Sequence, residues 1–207
     1  MKKNIPLFLA LFCLAGCSAL APSRPPVTIY ALHPSASQPS ENPQGPHGVL
    51  RIETPVMPSG LDSDRIALFL ADGRQLDYYA GAKWPAPLDH VLQDVIVEEA
   101  RNAFPRMTID TPDLNVAADY KISVRIREFT PVYQGGPGTI PFLKVSATFT
   151  LIRLPENTVI NDLTLESGQA AASNSLTAVT AGLESLLQGM VKKALNQMET
   201  DLEPSAR

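Results

Sequence analysis

Cysteine is scarce in this 207-residue chain: there are two, Cys13 and Cys17, both near the start. A domain built from the remainder has no pair of thiols, so its stability cannot rest on an internal disulfide. Histidine is nearly as rare, with only His33, His47 and His90. The first two lie among prolines and the third falls on the polar side of a helical pattern, so none has the neighbours of a general base. Long apolar runs are missing too. Ile5 to Ala15, interrupted only by Pro6, is eleven residues, whereas a membrane-crossing helix needs about 20. Phosphate-loop, dinucleotide, serine-elbow and zinc-protease spacings are absent, and with them the usual marks of an enzyme, a metal site or a resident cofactor.

What is present begins at the N-terminus. Lys2 and Lys3 precede the apolar run and Gly16 precedes Cys17, the charged, apolar and small-residue order of an export signal. Leu14-Ala15-Gly16-Cys17 resembles the lipobox of bacterial lipoproteins. The resemblance implies that residues 1–16 are a signal peptide and that Cys17 carries lipid, whose chains contribute about 0.8 kcal/mol per buried CH₂. Ser18, where an aspartate would favour the inner membrane, points by the same rule to the outer membrane, facing the periplasm. Cleavage leaves 191 of the 207 residues, enough for one domain with a sizeable core. Lys2 and Lys3 leave with the signal, so 17 basic residues become 15 against 21 acidic ones, a balance of −6. That charge argues against nucleic acid or anionic headgroups as partners.

Proline and serine dominate residues 18–47, so residues 17–26 read as a tether and residues 34–46 as a second linker. Between them Val27 to Leu32 reads as a strand that opens a domain over residues 27–203. Gly48 to Pro58 reads as a further strand, marked by Pro55 and Pro58 as an edge or a terminating segment. Arg65–Ala71 and Gln75–Ala80 flank the turn Asp72-Gly73 as a hairpin. Trp84-Pro85-Ala86-Pro87 breaks the sheet, and Leu88, Val91, Leu92, Val95, Ile96 and Glu99 follow helical spacing up to Phe104-Pro105. Beyond it, Tyr120, Ile122, Val124 and Ile126 alternate with Lys121, Ser123, Arg125 and Arg127. Val145 to Leu151 alternates likewise, and Ile160 to Gln169 gives another strand. Ser175 caps a long amphipathic helix running to Met198. The expected fold is α+β, a mostly antiparallel sheet with two main helices on one face; the order β-β-β-β-α, repeated, hints at two related halves.

Polar residues with chemical potential have plainer roles. Asp62 and Asp64 flank Ser63 before a strand, as turn-capping groups do, and Glu98-Glu99 reads as a polar helix face. Gly135-Gly136-Pro137-Gly138, within Pro131 to Pro141, lacks the lysine and following helix of a phosphate cradle. It reads as a flexible tip or, because Val132, Tyr133, Ile140 and Phe142 are apolar for a surface connection, as a contact loop.

Arg65-Ile66-Ala67 through Leu76-Asp77-Tyr78-Tyr79-Ala80-Gly81-Ala82-Lys83-Trp84-Pro85-Ala86-Pro87-Leu88, followed by Leu92-Gln93 and Val97-Glu98, resembles the ABC-type transport auxiliary lipoproteins. The order of the other elements matches across nearly the whole processed chain. The resemblance implies a non-catalytic outer-membrane partner of an MCE-type periplasmic tunnel protein in intermembrane lipid transport, able to assemble into homo-oligomeric rings. Candidate partner-binding residues are Tyr78, Tyr79 and Trp84, as an aromatic patch, with Tyr133, Ile140 and Phe142; packing of the sheet-to-helix joint is an equal reading for Trp84. Two other roles are open: an assembly factor for an outer-membrane barrel or polysaccharide exporter, and, further off, an envelope hydrolase.

Overall fold

A computed structural model describes residues 26–36, 45–71, 73–114 and 116–202. The signal, Cys17, nearly all of the tether, Asp72 and much of the second linker lie outside them. In chain order the elements are β1 (Thr28–Ile29), β2 (Gly48–Ile52), β3 (Arg65–Leu70), β4 (Gln75–Lys83), α1 (Leu88–Ala103), β5 (Met107–Asp110), β6 (Tyr120–Val132), β7 (Phe142–Arg153), β8 (Thr158–Ala170) and α2 (Leu176–Met198), ending in a 3₁₀ turn at Glu199–Leu202.

The long alternating segment becomes the centre of the sheet. Tyr120, Ile122, Val124 and Ile126 of β6 are buried, while Lys121 and Ser123 are half-buried and Arg125 is exposed. A bulge between Ile126 and Glu128 absorbs one residue, so that Phe129 returns to the buried face. On one side β6, β7 and β8 form an antiparallel meander. On the other side β6 is shared. β2 runs parallel to its start, with Leu50 opposite Tyr120, and β3 meets its end in parallel at Phe69 and Val132. Beyond β2 lies β5, also parallel; beyond β3 come its antiparallel partner β4 and then β1, parallel to β4.

The eight-stranded sheet is therefore mixed and not mostly antiparallel. Side-chain alternation is the same for both pairings, and direction is set by connections that here span tens of residues. β2 is an interior strand, with Pro55 and Pro58 lying past its end. The element order does run β-β-β-β-α twice, but β5, unread in the sequence, pairs with β2, and β6 to β8 form a meander with no counterpart earlier. Two related halves are not shown.

Both helices pack on one face and against each other over a single core. Pro87 precedes α1, where its missing N–H costs no hydrogen bond, and Asp89 sits in the first turn. At the start of α2, Ser175 Oγ accepts from the Ala178 N–H at 3.2 Å. Gly182 lets α2 approach β7 closely: a Cβ there would come within 2.3 Å of Leu143 Cδ1.

The segment that follows β1 is held against the helices. Leu32 is buried in the core. The His33 N–H donates to Glu184 Oε2 at 2.7 Å and Gln188 Nε2 donates to the His33 carbonyl at 2.8 Å, both on α2. The Ser35 N–H and hydroxyl donate to Glu99 Oε1 of α1 at 2.5 and 2.6 Å. Residues 30–36 thus strap the two helices together. Glu99, expected on a wet face, is buried, and its Oε1 accepts both hydrogen bonds from Ser35.

Candidate docking surface

The candidate aromatic residues separate into two groups. Trp84 is 1% exposed, its ring tilted against Phe129 with centroids 6.3 Å apart. The Trp84 backbone N–H donates to the Asp64 carbonyl at 2.7 Å, and the Leu88 backbone N–H to that of Ser63 at 3.1 Å, so the 61–64 turn locks the passage from β4 into α1. Trp84 packs the sheet-to-helix joint and presents no surface to a partner. Asp64 also pairs with Lys83 Nζ at 3.2 Å, and Ser63 Oγ accepts from the Arg65 N–H, local roles of the turn-capping kind. His90 is exposed on α1.

Tyr78 and Tyr79 point to opposite sides of β4, as alternation requires. The Tyr78 hydroxyl donates to the Gly60 carbonyl at 2.9 Å, and the Arg65 guanidinium lies 3.5 Å from the ring centroid. Tyr79 meets Tyr133 hydroxyl to hydroxyl at 2.7 Å. Tyr133, 2% exposed, donates to Asn174 Oδ1 at 2.8 Å, and Asn174 Nδ2 donates to the Pro137 carbonyl at 2.9 Å. A hydroxyl has one proton, so with that of Tyr133 directed at Asn174, Tyr79 is the donor to Tyr133. Burial, then this hydrogen bond, raises the Tyr79 phenol above its ordinary range. Its protonated form is thus favoured in the folded state, and stability falls as pH rises past the ordinary tyrosine value of about 10. Tyr79→Phe is expected to cost about 1 kcal/mol at neutral pH and to flatten the alkaline unfolding profile, as urea midpoints from pH 8 to pH 11 would show.

The chain Tyr79–Tyr133–Asn174–Pro137 fixes the 133–141 connection against β4 and the entry to α2. Tyr133, expected as a contact residue, is buried and anchors the loop from inside. Ile140 and Phe142 remain outside, 57% and 42% exposed. Phe142 lies over Gly168 of β8, where a Cβ would come within 2.6 Å of Phe142 Cε1. β3 and β6 run parallel, so the start of β4, with exposed Leu76 opposite Phe69, lies at the same end of the sheet. Asn174 and the strap were not legible as site residues in the sequence, since both act through contacts between segments distant along the chain.

Among the described residues no helix is long and apolar enough to cross a membrane, and no group of three His, Cys, Asp or Glu side chains is placed to hold a metal. The fold defines an α+β class, two helices laid on one face of a mixed eight-stranded sheet, with an apolar, rigidly braced loop at one end. The chain belongs to the ABC-type transport auxiliary lipoprotein components, whose family model matches residues 30–194. A solved protein from Xanthomonas campestris has the same fold, with a TM-score of 0.72 and 22% identity over 84% of this chain and 95% of that one. An uncharacterized protein of known structure gives a TM-score of 0.67 and 13% identity over 84% and 99%. No curated protein matches the chain.

Proposed function

We propose that this lipoprotein is a non-catalytic docking component of an MCE-type intermembrane lipid transport system, anchored through Cys17 in the outer membrane and facing the periplasm. Membership of the transport auxiliary family carries the reading. It is supported by the lipobox ending at Cys17, by Ser18 after it, and by the braced loop that displays Ile140 and Phe142. Exposed apolar side chains on a loop held rigid by hydrogen bonds lose little entropy on contact. Homo-oligomeric assembly fits the long β8 edge, which among the described residues pairs with β7 alone and leaves its outer row of backbone donors and acceptors open.

A photo-crosslinking residue at Phe142 or Ile140 in intact cells is expected to capture an MCE-domain protein, identified by mass spectrometry, while the same residue at exposed Leu114 captures none. Recovery of an outer-membrane barrel from the loop positions would replace the docking reading with the assembly-factor one. Equal capture from all three positions would remove the loop from either.

A further inference from the structure

The face of the sheet away from the helices carries rows of polar side chains across three strands. Ser123 of β6 stands opposite Thr150 of β7 and Asp162 of β8, and Arg125 opposite Thr148 and Thr164. Hydroxyls tie β7 to β8: Thr148 and Thr164 share a hydrogen bond of 2.9 Å, and Thr150 Oγ1 donates to Asp162 Oδ1 at 2.7 Å. Arg127, two residues on from Arg125, faces the same side. Arg125, Arg127, Ser123, Thr148, Thr150 and Asp162 line a depression of about 290 Å³. Among the described residues neither guanidinium has an ion pair or hydrogen bond, and Asp162 uses only one oxygen.

Two guanidiniums along one side, a carboxylate along the other and a hydroxyl floor between them form a pattern of charge that suits a zwitterion. β6 and β8 are two strand spacings apart, about 10 Å, a gap that long arginine side chains narrow. Paired guanidinium forks hold phosphate oxygens well, and the free Asp162 oxygen accepts from an ammonium. Apolar lining comes only from Val56 and Val124, which leaves acyl chains nothing to rest on and restricts the occupant to a headgroup. Exposed charges hold a ligand weakly in water. A headgroup in the bilayer to which the domain is tethered is present at high effective concentration, which offsets that weakness. We infer that this depression binds the phosphoethanolamine headgroup of a membrane phospholipid, with its phosphodiester on Arg125 and Arg127 and its ammonium on Asp162. The overall acidity of the chain disfavours a uniformly anionic surface and leaves a zwitterion unaffected. The inference rests on membrane anchorage and is independent of which transport protein docks.

Native mass spectrometry of the mature acylated protein, released from non-ionic detergent with equal amounts of dihexanoyl phosphatidylethanolamine, phosphatidylcholine and phosphatidylglycerol, tests it. The ethanolamine lipid is expected to be retained about tenfold over the other two. Arg125→Gln with Arg127→Gln is expected to abolish that retention with an unchanged urea midpoint, and Asp162→Asn to erase the preference for ethanolamine over choline, whose quaternary nitrogen has no N–H to donate. Lys192→Gln with Lys193→Gln, which removes the same charge from exposed positions on α2, is expected to change nothing. Equal retention of the three lipids, undiminished retention without the two arginines, an equal loss on changing the two lysines, or full displacement by equimolar inorganic phosphate would each overturn the assignment.

Discussion

Trp84→Ala is expected to lower the unfolding free energy by about 3–5 kcal/mol, the range for deleting a fully buried large aromatic side chain. Trp84 fills the corner where β4 passes into α1, against Phe129 just beyond the β6 bulge. Its removal would leave a void at the point where sheet, helix and the 61–64 turn meet. Urea unfolding measures the loss directly, and Trp84→Phe should recover part of it by refilling the space. A docking role makes the opposite demand: a normal unfolding midpoint together with a lost crosslink from Phe142. The two outcomes separate packing from recognition at the residue where the sequence allowed either.

A change of similar size is expected at the pair formed by Arg51 and Asp110. The two are register partners on the parallel strands β2 and β5. Arg51 Nε donates to Asp110 Oδ2 at 2.8 Å, and the same guanidinium donates to the Val116 carbonyl. Their side chains are 19% and 0% exposed, and Asp110 Oδ1 has no hydrogen-bond partner among the described residues. Arg51→Met strands a buried carboxylate and is expected to cost about 3–5 kcal/mol. Arg51→Met combined with Asp110→Leu removes both charges and is expected to restore most of the loss. Matching urea midpoints for the single and double variants would show that the pair is not the source of the cost.

The elements set by periodicity were open to reading in the sequence. The β6 to β8 strands, the β3–β4 hairpin and both helices follow from alternation, turn residues and the apolar stripe, because each depends on neighbours a few residues away. β5 was missed: Met107–Asp110 is four residues long and follows a proline break, too short for alternation to stand out. Of the two readings open for Pro55 and Pro58, an edge or a termination, the structure takes the second: β2 ends before both prolines, and nothing local reveals that β5 and β6 flank it. The surface was read less well than the fold. Tyr133 and Trp84 look like exposed aromatics among prolines and glycines, yet burial depends on which distant element folds over them. Ile140 and Phe142 kept their exposure while the backbone before them is held by the Tyr79–Tyr133–Asn174–Pro137 chain, and that between them by the Ala171 N–H on the Pro141 carbonyl. The open polar face was hidden by arithmetic: a sum of charges erases the arrangement in which β6 carries arginines and β8 carries Asp162.

The strap over residues 30–36 bears on how a tethered domain carries mechanical load. A pull arriving from the lipid end first meets the hydrogen bonds of β1 to β4, including that of the Tyr30 N–H with the Lys83 carbonyl. It then meets Leu32, which would have to leave the core, and the hydrogen bonds of His33 and Ser35 to the two helices. Tension applied at the start of β1 would therefore be shared by both helices at once and not carried by a single strand.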